Sequence, residues 1–358
     1  MGRLLLPKTE CPGAECFPPG VAATQPRLAL HQEALGYLKH DLADSTLGQY
    51  QQSLKYVVRV LLLLGLLPML WAPQELVVCW VVAFFARSAS YKTIVNYLKA
   101  WKYFLGVHGW DVSVWQGWQL LPRLLRGVKR VKGDAAKPKL PIPPALLLKF
   151  VRALPLGGPA LALWAAILVG FFGFLRKGHL CVDGVGLGAV SMAVLRRKNF
   201  VFDHAAYCVH ITVTMSKTNQ FRQRQQVITI QGVKGHVLDP YAWLQKLFTL
   251  HPADGDAPAF GHVQGGVYVP LTYSRLLVGL KDLIKACGLD PSAYGGHSLR
   301  RGGATWAFQC GVHPLFIRIQ GDWQSDTWLL YVGMSAAQKC AVTRMMQEKI
   351  ASLPGAAI

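Results

Sequence analysis

The sequence predicts a mainly helical protein with a small antiparallel β-sheet (an α+β fold), divided into two domains. Three observations carry that expectation. A chain of 358 residues is longer than one hydrophobic core usually serves. A proline-rich stretch without periodicity, Gly-Asp-Ala-Ala-Lys-Pro-Lys-Leu-Pro-Ile-Pro-Pro at 133–144, separates two patterned halves. Apolar residues recur at helical spacing through most of both halves, while period-two alternation is confined to short runs beyond residue 188.

Residues 1–29, with Pro7, Pro12, Pro18, Pro19 and Pro26 and little periodicity, read as a flexible arm. Residues 30–132 read as a compact helical domain. Asp44-Ser45-Thr46 offers cap residues before Leu47, Tyr50, Leu54, Val57 and Val58, which follow helix period. Pro73 precedes a helix at 74–86. Ser88 or Ser90 caps a third, with Ile94, Leu98, Trp101, Phe104 and Leu105 on one stripe and Lys92, Lys99 and Lys102 largely off it. A fourth, near 117–131, carries Arg123, Arg126, Lys129, Arg130 and Lys132. After the 133–144 linker, residues 145–358 form the second domain. Helices are expected near 144–154, 160–175, 240–250, 272–287, 298–310 and 313–320, with a last one after 335. Strands are expected around 189–194, 208–215 and 226–230, short and alternating, as in a small antiparallel sheet.

Composition narrows the function. The net charge is +20, with 38 Lys and Arg against 18 Asp and Glu, yet only 16% of residues are charged and 52% are hydrophobic. Disorder requires low hydrophobicity with high charge, so a chain that is disordered as a whole is excluded. Residues 1–137 carry a net +8 and residues 138–358 a net +12. Two basic domains suit the gripping of one polyanion, although a solvated surface or an anionic membrane face would look similar. The apolar runs 60–71 and 76–86 are each too short to span a bilayer, and 160–175 reads as the buried helix of a large domain. No membrane partner is expected. The eight cysteines form no CxxC pair and sit with no histidine at zinc-ligand spacing, which indicates a reducing compartment and no metal site. The Leu4-Leu5-Leu6 run is too short for a signal peptide's apolar core. Gly184, Gly186 and Gly188 lack the spacing of a dinucleotide fingerprint, and no phosphate-binding loop, GxSxG or HExxH occurs. No cofactor is expected.

The chemistry-bearing residues are spread along the second domain. His297-Ser298-Leu299-Arg300 places an imidazole and a guanidinium three apart at a helix start, on one face. Arg176 ends the buried apolar run, where an unpaired guanidinium would be costly, so an anionic partner is required. Lys217 lies in the turn after a strand, in Met215-Ser216-Lys217-Thr218-Asn219. Trp323 follows in Gly321-Asp322-Trp323, and Tyr331 closes Trp328-Leu329-Leu330-Tyr331. Two arginines for a phosphate, a His and a Lys for proton transfer, and a tyrosine hydroxyl can together cleave a phosphodiester without metal.

This ordered set resembles the tyrosine recombinases, the phage-integrase and Cre-like family. The resemblance rests on Gly173-Phe174-Leu175-Arg176, Ser216-Lys217-Thr218, Gly296-His297-Ser298-Leu299-Arg300, Gly321-Asp322-Trp323 and Tyr331, and covers nearly the whole chain. The run from His297 to Val312, with the short interval from Trp323 to Tyr331, is similar to eukaryotic crypton, DIRS and Ngaro mobile-element recombinases. The resemblance implies a helical core-binding (SAM-like) domain at 30–132 and a catalytic domain at 145–358. It also implies Tyr331 as nucleophile, Arg176 and Arg300 on the non-bridging oxygens, Lys217 protonating the 5′-oxygen, and His297 and Trp323 as hydrogen-bonding groups. Double-stranded DNA with a specific target site would be the partner, bound by a homotetramer bridging two duplexes through a Holliday junction. Lys92, Lys99, Arg126 and Arg130 are the candidate DNA contacts. The segment 336–352 could dock on a neighbouring protomer or on its own domain. A eukaryotic host would place the protein in the nucleus, another host in the cytoplasm or nucleoid. His179 stands where the family usually has an acidic residue. A type IB topoisomerase and a domesticated, catalytically silent DNA-binding protein are the alternatives; a complete residue set with His297 before Arg300 favours a recombinase.

Overall fold

The computed structural model describes residues 41–134, 139–154, 157–184, 191–216, 219 and 225–325, with a few isolated residues before and after. The chain divides into two compact units, Met1–Ala136 and Lys137–Ile358.

The described part of the first unit is helical: α1 (Asp44–Leu63), α2 (Glu75–Ala86), α3 (Tyr91–Val107) and α4 (Leu120–Lys132). Helix α1 already includes Asp44, so Asp44-Ser45-Thr46 lies inside the first turn rather than capping it. At α3 the cap is Ser90, whose hydroxyl accepts from the Thr93 amide at 3.2 Å. The Glu75 carboxylate accepts from the Leu121 amide at 2.8 Å, a negative charge at the positive end of α4. Val57, Leu61, Val78, Val82, Ile94 and Trp101 form the centre of this core. The Trp101 indole N–H is satisfied by the Leu70 carbonyl at 2.8 Å. Lys92, Lys99, Arg126 and Arg130 all remain exposed on α3 and α4.

The second unit is built around one apolar helix. Following α5 (Pro144–Ala153), α6 (Gly158–Phe172) is buried along its whole length from Ala160 to Phe171. Its Ala- and Leu-rich composition favours helix, and Pro159 sits in the first turn, where its missing N–H costs nothing. Among the described residues no helix is long and apolar enough to cross a membrane. The short α7 (Lys177–Leu180) follows, then β1 (Phe200–Asp203), β2 (Cys208–Val213) and β3 (Gln226–Gln231), an antiparallel sheet in that order. Next come α8 (Pro240–Leu250), the hairpin β4 (Gly261–Gln264) and β5 (Val267–Pro270), α9 (Tyr273–Ala286), α10 (Ser298–Gln309) and α11 (Pro314–Gln320). Helix α6 packs against α8, α10 and β4.

One strand expectation is corrected, and one hairpin is new. Residues 191–194 of the expected 189–194 strand contain a turn, and the first strand is Phe200–Asp203. Val194 and Leu195 are both buried, which a strand with one covered face does not do. Phe200 and Phe202 instead pair with Ile211 and Val209, so the strand is selected by its partner across the sheet. The β4–β5 hairpin is an addition. Gly265 and Gly266 take φ of +57° and +79°, the left-handed values that a tight two-residue turn demands.

Candidate active site

The site begins where α6 ends. Gly173 and Leu175 donate their amides back to Val169 and Gly170 (2.9 and 3.2 Å), and Phe174 between them is left-handed, φ +48°. This turn stops the helix and sends the chain out at Arg176, the residue that precedes α7. The Arg176 side chain retains 17% exposure, enough to reach an outside ligand.

Arg300 arrives from the first turn of α10 and is 3% exposed. Its guanidinium donates to the carbonyls of Phe174 and Gly321, and lies 4.0 Å from the centre of the Trp323 ring. Trp323, 7% exposed, packs on Phe174 and so backs the whole cluster. Glycines make the approach possible. A Cβ on Gly303 would fall 2.0 Å from the Phe171 carbonyl, and one on Gly321 would enter the Trp323 ring. Gly303 therefore lets α10 lie against the end of α6, while Gly302 lets it lie against the backbone of Ile142, just before α5.

Asp322 ties the parts together. It is left-handed, φ +51°, a conformation that Asp tolerates better than most side chains. Its carboxylate accepts the Ser216 hydroxyl at 2.7 Å and lies 3.7 Å from the Arg176 guanidinium, while its carbonyl accepts from Arg176 at 3.4 Å. The anionic partner that the burial of Arg176 requires is thus Asp322. Ser216 is buried and bridges to Asn219. The start of β3 is held to the same region by Gln226, whose amide donates to the Ile319 and Gln320 carbonyls (2.9 and 3.1 Å).

His179 completes the surroundings. It is buried, and its pKa falls to about 4, first through loss of water and then through the positive fields of Arg176 and Arg300; Asp322 opposes the shift. The imidazole is therefore neutral near pH 7. Two guanidiniums, one carboxylate and a neutral imidazole leave an excess positive charge in a largely dry site. Such a site favours an anion with several oxygens, because each guanidinium offers a planar fork of donors.

Of the sequence-predicted residues, Arg176, Arg300 and Trp323 converge. His297 precedes α10 one turn from Arg300, with an exposed side chain. Lys217 and Tyr331 lie outside the described residues, as does most of 336–352. Lys92, Lys99, Arg126 and Arg130 belong to the first unit. Sequence reasoning gives Asp322 and Ser216 no role, although each adjoins a candidate, Trp323 and Lys217.

The sequence matches no protein-family model and no curated protein. Solved structures do match. An integrase of the Tn1549 transposon, in complex with transposon right end DNA, is 16% identical with a TM-score of 0.58, covering 89% of this chain and 98% of that one. The XerH site-specific recombinase, in a post-cleavage complex with its difH substrate, is 15% identical with a TM-score of 0.52, covering 76% and 70%. The fold is that of these recombinase and integrase structures, mainly helical with small antiparallel sheets.

Proposed function

We propose that this chain is a site-specific DNA recombinase or integrase that cleaves and rejoins duplex DNA through a 3′-phosphotyrosine link. The observation that carries the reading is the convergence of Arg176 and Arg300, far apart in sequence, on Asp322 and the backbone around it within a fold shared with DNA-bound recombinases. The tyrosine hydroxyl of Tyr331 attacks the scissile phosphorus and the bond to the 5′-oxygen breaks. Arg176 and Arg300 hold the non-bridging oxygens, whose charge grows in the transition state. Trp323 supports the face of the Arg300 guanidinium. His297 assists removal of the tyrosine proton, and Lys217 supplies a proton to the departing 5′-oxygen. The phosphodiester energy is retained in the covalent link, so the balance calls for neither ATP nor a metal. A homotetramer bridging two duplexes passes through a Holliday junction, and Lys92, Lys99, Arg126 and Arg130 meet backbone phosphates. The motif run from His297 to Val312 supports a relationship to crypton and DIRS-type elements, and hence a nuclear location.

The test is covalent trapping. The target is first selected from random duplexes, then presented as a nicked suicide substrate. Wild-type protein accumulates an adduct that survives denaturant, and Tyr331→Phe accumulates none. Equal trapping by Tyr331→Phe overturns the assignment of the nucleophile. Relaxation of supercoiled plasmid lacking the target would point instead to a topoisomerase.

A further inference from the structure

At the opposite end of β2 from Ser216, three metal-ligating side chains of different chemistry meet. β1 and β2 are antiparallel with Asp203 directly opposite Cys208. His210 lies two residues further along β2, and alternation puts it on the same face as Cys208. Cys208 Sγ and His210 Nε2 are 3.6 Å apart, and one ligand atom from each of Asp203, Cys208 and His210 lies within 4.8 Å of the others.

Two features distinguish this group from a chance cluster. The first is the separation. A tetrahedral zinc ion with bonds of about 2.3 Å to sulfur and about 2.0 Å to nitrogen has a sulfur–nitrogen edge of roughly 3.5 Å. The observed 3.6 Å, a distance that a thiol–imidazole hydrogen bond also adopts, needs almost no adjustment to admit such an ion. The second is the outer support. His210 Nδ1 lies 2.8 Å from the hydroxyl of Thr229, its partner on β3. With Nδ1–H donated to that hydroxyl, the lone pair of Nε2 faces the thiol, which is how metal-binding histidines are usually oriented. One Asp203 carboxylate oxygen accepts the Ala206 amide at 2.8 Å, fixing the carboxylate and leaving its second oxygen to ligate. Cys208 is buried, while Asp203 and His210 are half-buried, so an ion can enter from one side.

We propose that Asp203, Cys208 and His210 form a mononuclear site for zinc or a similar borderline-soft divalent ion, with water as the fourth ligand. Such an ion clamps β1 to β2 and, through Thr229, to β3. It acts on the sheet and not on the phosphate, so the site stands whether or not the chain is a recombinase. Sulfur and imidazole ligation selects against magnesium and calcium.

Cobalt(II) titration of the full chain, stripped with chelator and kept reduced, provides the test. One equivalent is expected to saturate, with a thiolate-to-cobalt charge-transfer band and intense tetrahedral d–d bands that zinc abolishes and magnesium does not. Cys208→Ser loses the charge-transfer band, and Thr229→Val weakens binding by about tenfold or more. X-ray absorption on the unmutated cobalt protein guards against a variant that fails to fold; one sulfur among four ligands is expected. Absence of saturable binding, persistence of the band in Cys208→Ser, or a shell with no sulfur or with two overturns the site.

Discussion

The second unit buries two arginine clusters, and they solve the same problem in opposite ways. Arg197, beside β1, lies 3.8 Å from the centre of the Phe248 ring and donates to the His251 carbonyl at 2.9 Å and the Tyr268 hydroxyl at 3.4 Å. It is one cation set among aromatic faces and neutral oxygens. Arg300 has the same kinds of partner, an aromatic ring and two carbonyls, but shares its surroundings with a second guanidinium, Arg176, and a carboxylate. Placing two like charges in one partly dry site costs folding energy that a purely structural arrangement avoids. Burial of an arginine is thus no mark of function, whereas the pairing of two, open at Arg176, is the feature on which the proposed phosphate site rests.

Alanine substitution separates the two most sharply. Arg300→Ala should lower the rate of covalent adduct formation by about a thousandfold, as loss of a group that meets developing charge does. Arg197→Ala should cost about 2–4 kcal/mol of stability, through lost packing and stranded acceptors, while the folded protein cleaves at the wild-type rate. Adduct kinetics with parallel denaturant melts measure both. Equal losses of activity at equal folded fraction would erase the distinction.

What was legible in the sequence follows the range of the interactions concerned. The start of α3 was readable from a short-range signal, Ser90, which accepts from an amide at the head of the helix; Asp239 and Thr272 do the same at α8 and α9, although only the apolar spacing there was read. Arg176 and Arg300 were readable because their chemical type and local motifs announce them. β1 was misplaced because its identity depends on Val209 and Ile211 across the sheet, and no local pattern encodes a partner. The β4–β5 hairpin did carry a local signal, Gly265-Gly266 between alternating runs, and could have been found. Asp322 could not. Its contacts with Ser216 and Arg176 bridge distant segments and depend on a left-handed backbone that Gly-Asp-Trp does not reveal. The same holds for Asp203, Cys208 and His210, whose spacing matches no ligand motif until strand register aligns them.

Asp322→Asn sharpens the comparison by removing the charge and little else, since Asn also tolerates the left-handed conformation. Without the carboxylate, Arg176 keeps its bond to the Asp322 carbonyl but loses the negative charge beside it, and the paired guanidiniums repel. Adduct formation should fall by up to about a hundredfold, the penalty for misplaced groups. Sulfate should at the same time raise the Tm of the variant more than that of the wild type, because the anion stands in for the missing charge and stabilises by mass action. No such sulfate response is expected to depend on Arg197. A sulfate effect equal in the two proteins would show that the carboxylate does not balance this pair.

Histidines offer the finest discrimination, because beside each arginine cluster burial depresses one, with the arginines adding to the shift. His179 falls to about 4, through burial and then the fields of Arg176 and Arg300. His251 is also lowered, through burial, then His262, then Arg197. A histidine whose folded pKa lies below its unfolded value of about 6.5 binds its proton first in the unfolded chain. Stability is therefore fully present above pH 6.5 and is lost as the pH falls towards 4. For His179, well buried, that loss between pH 6.5 and 5 is about 2 kcal/mol, at about 1.4 kcal/mol per pH unit. His251 contributes in the same direction. His179→Asn should remove most of the acid-side slope in urea midpoints, and His251→Asn a smaller part. In the Asp322→Asn background the His179 share should extend to lower pH, because Asp322 raises the His179 pKa against the arginines. A slope that ignores Asp322 while still vanishing in His179→Asn would mean that the Asp322 carboxylate takes no part in setting the charge state of this histidine.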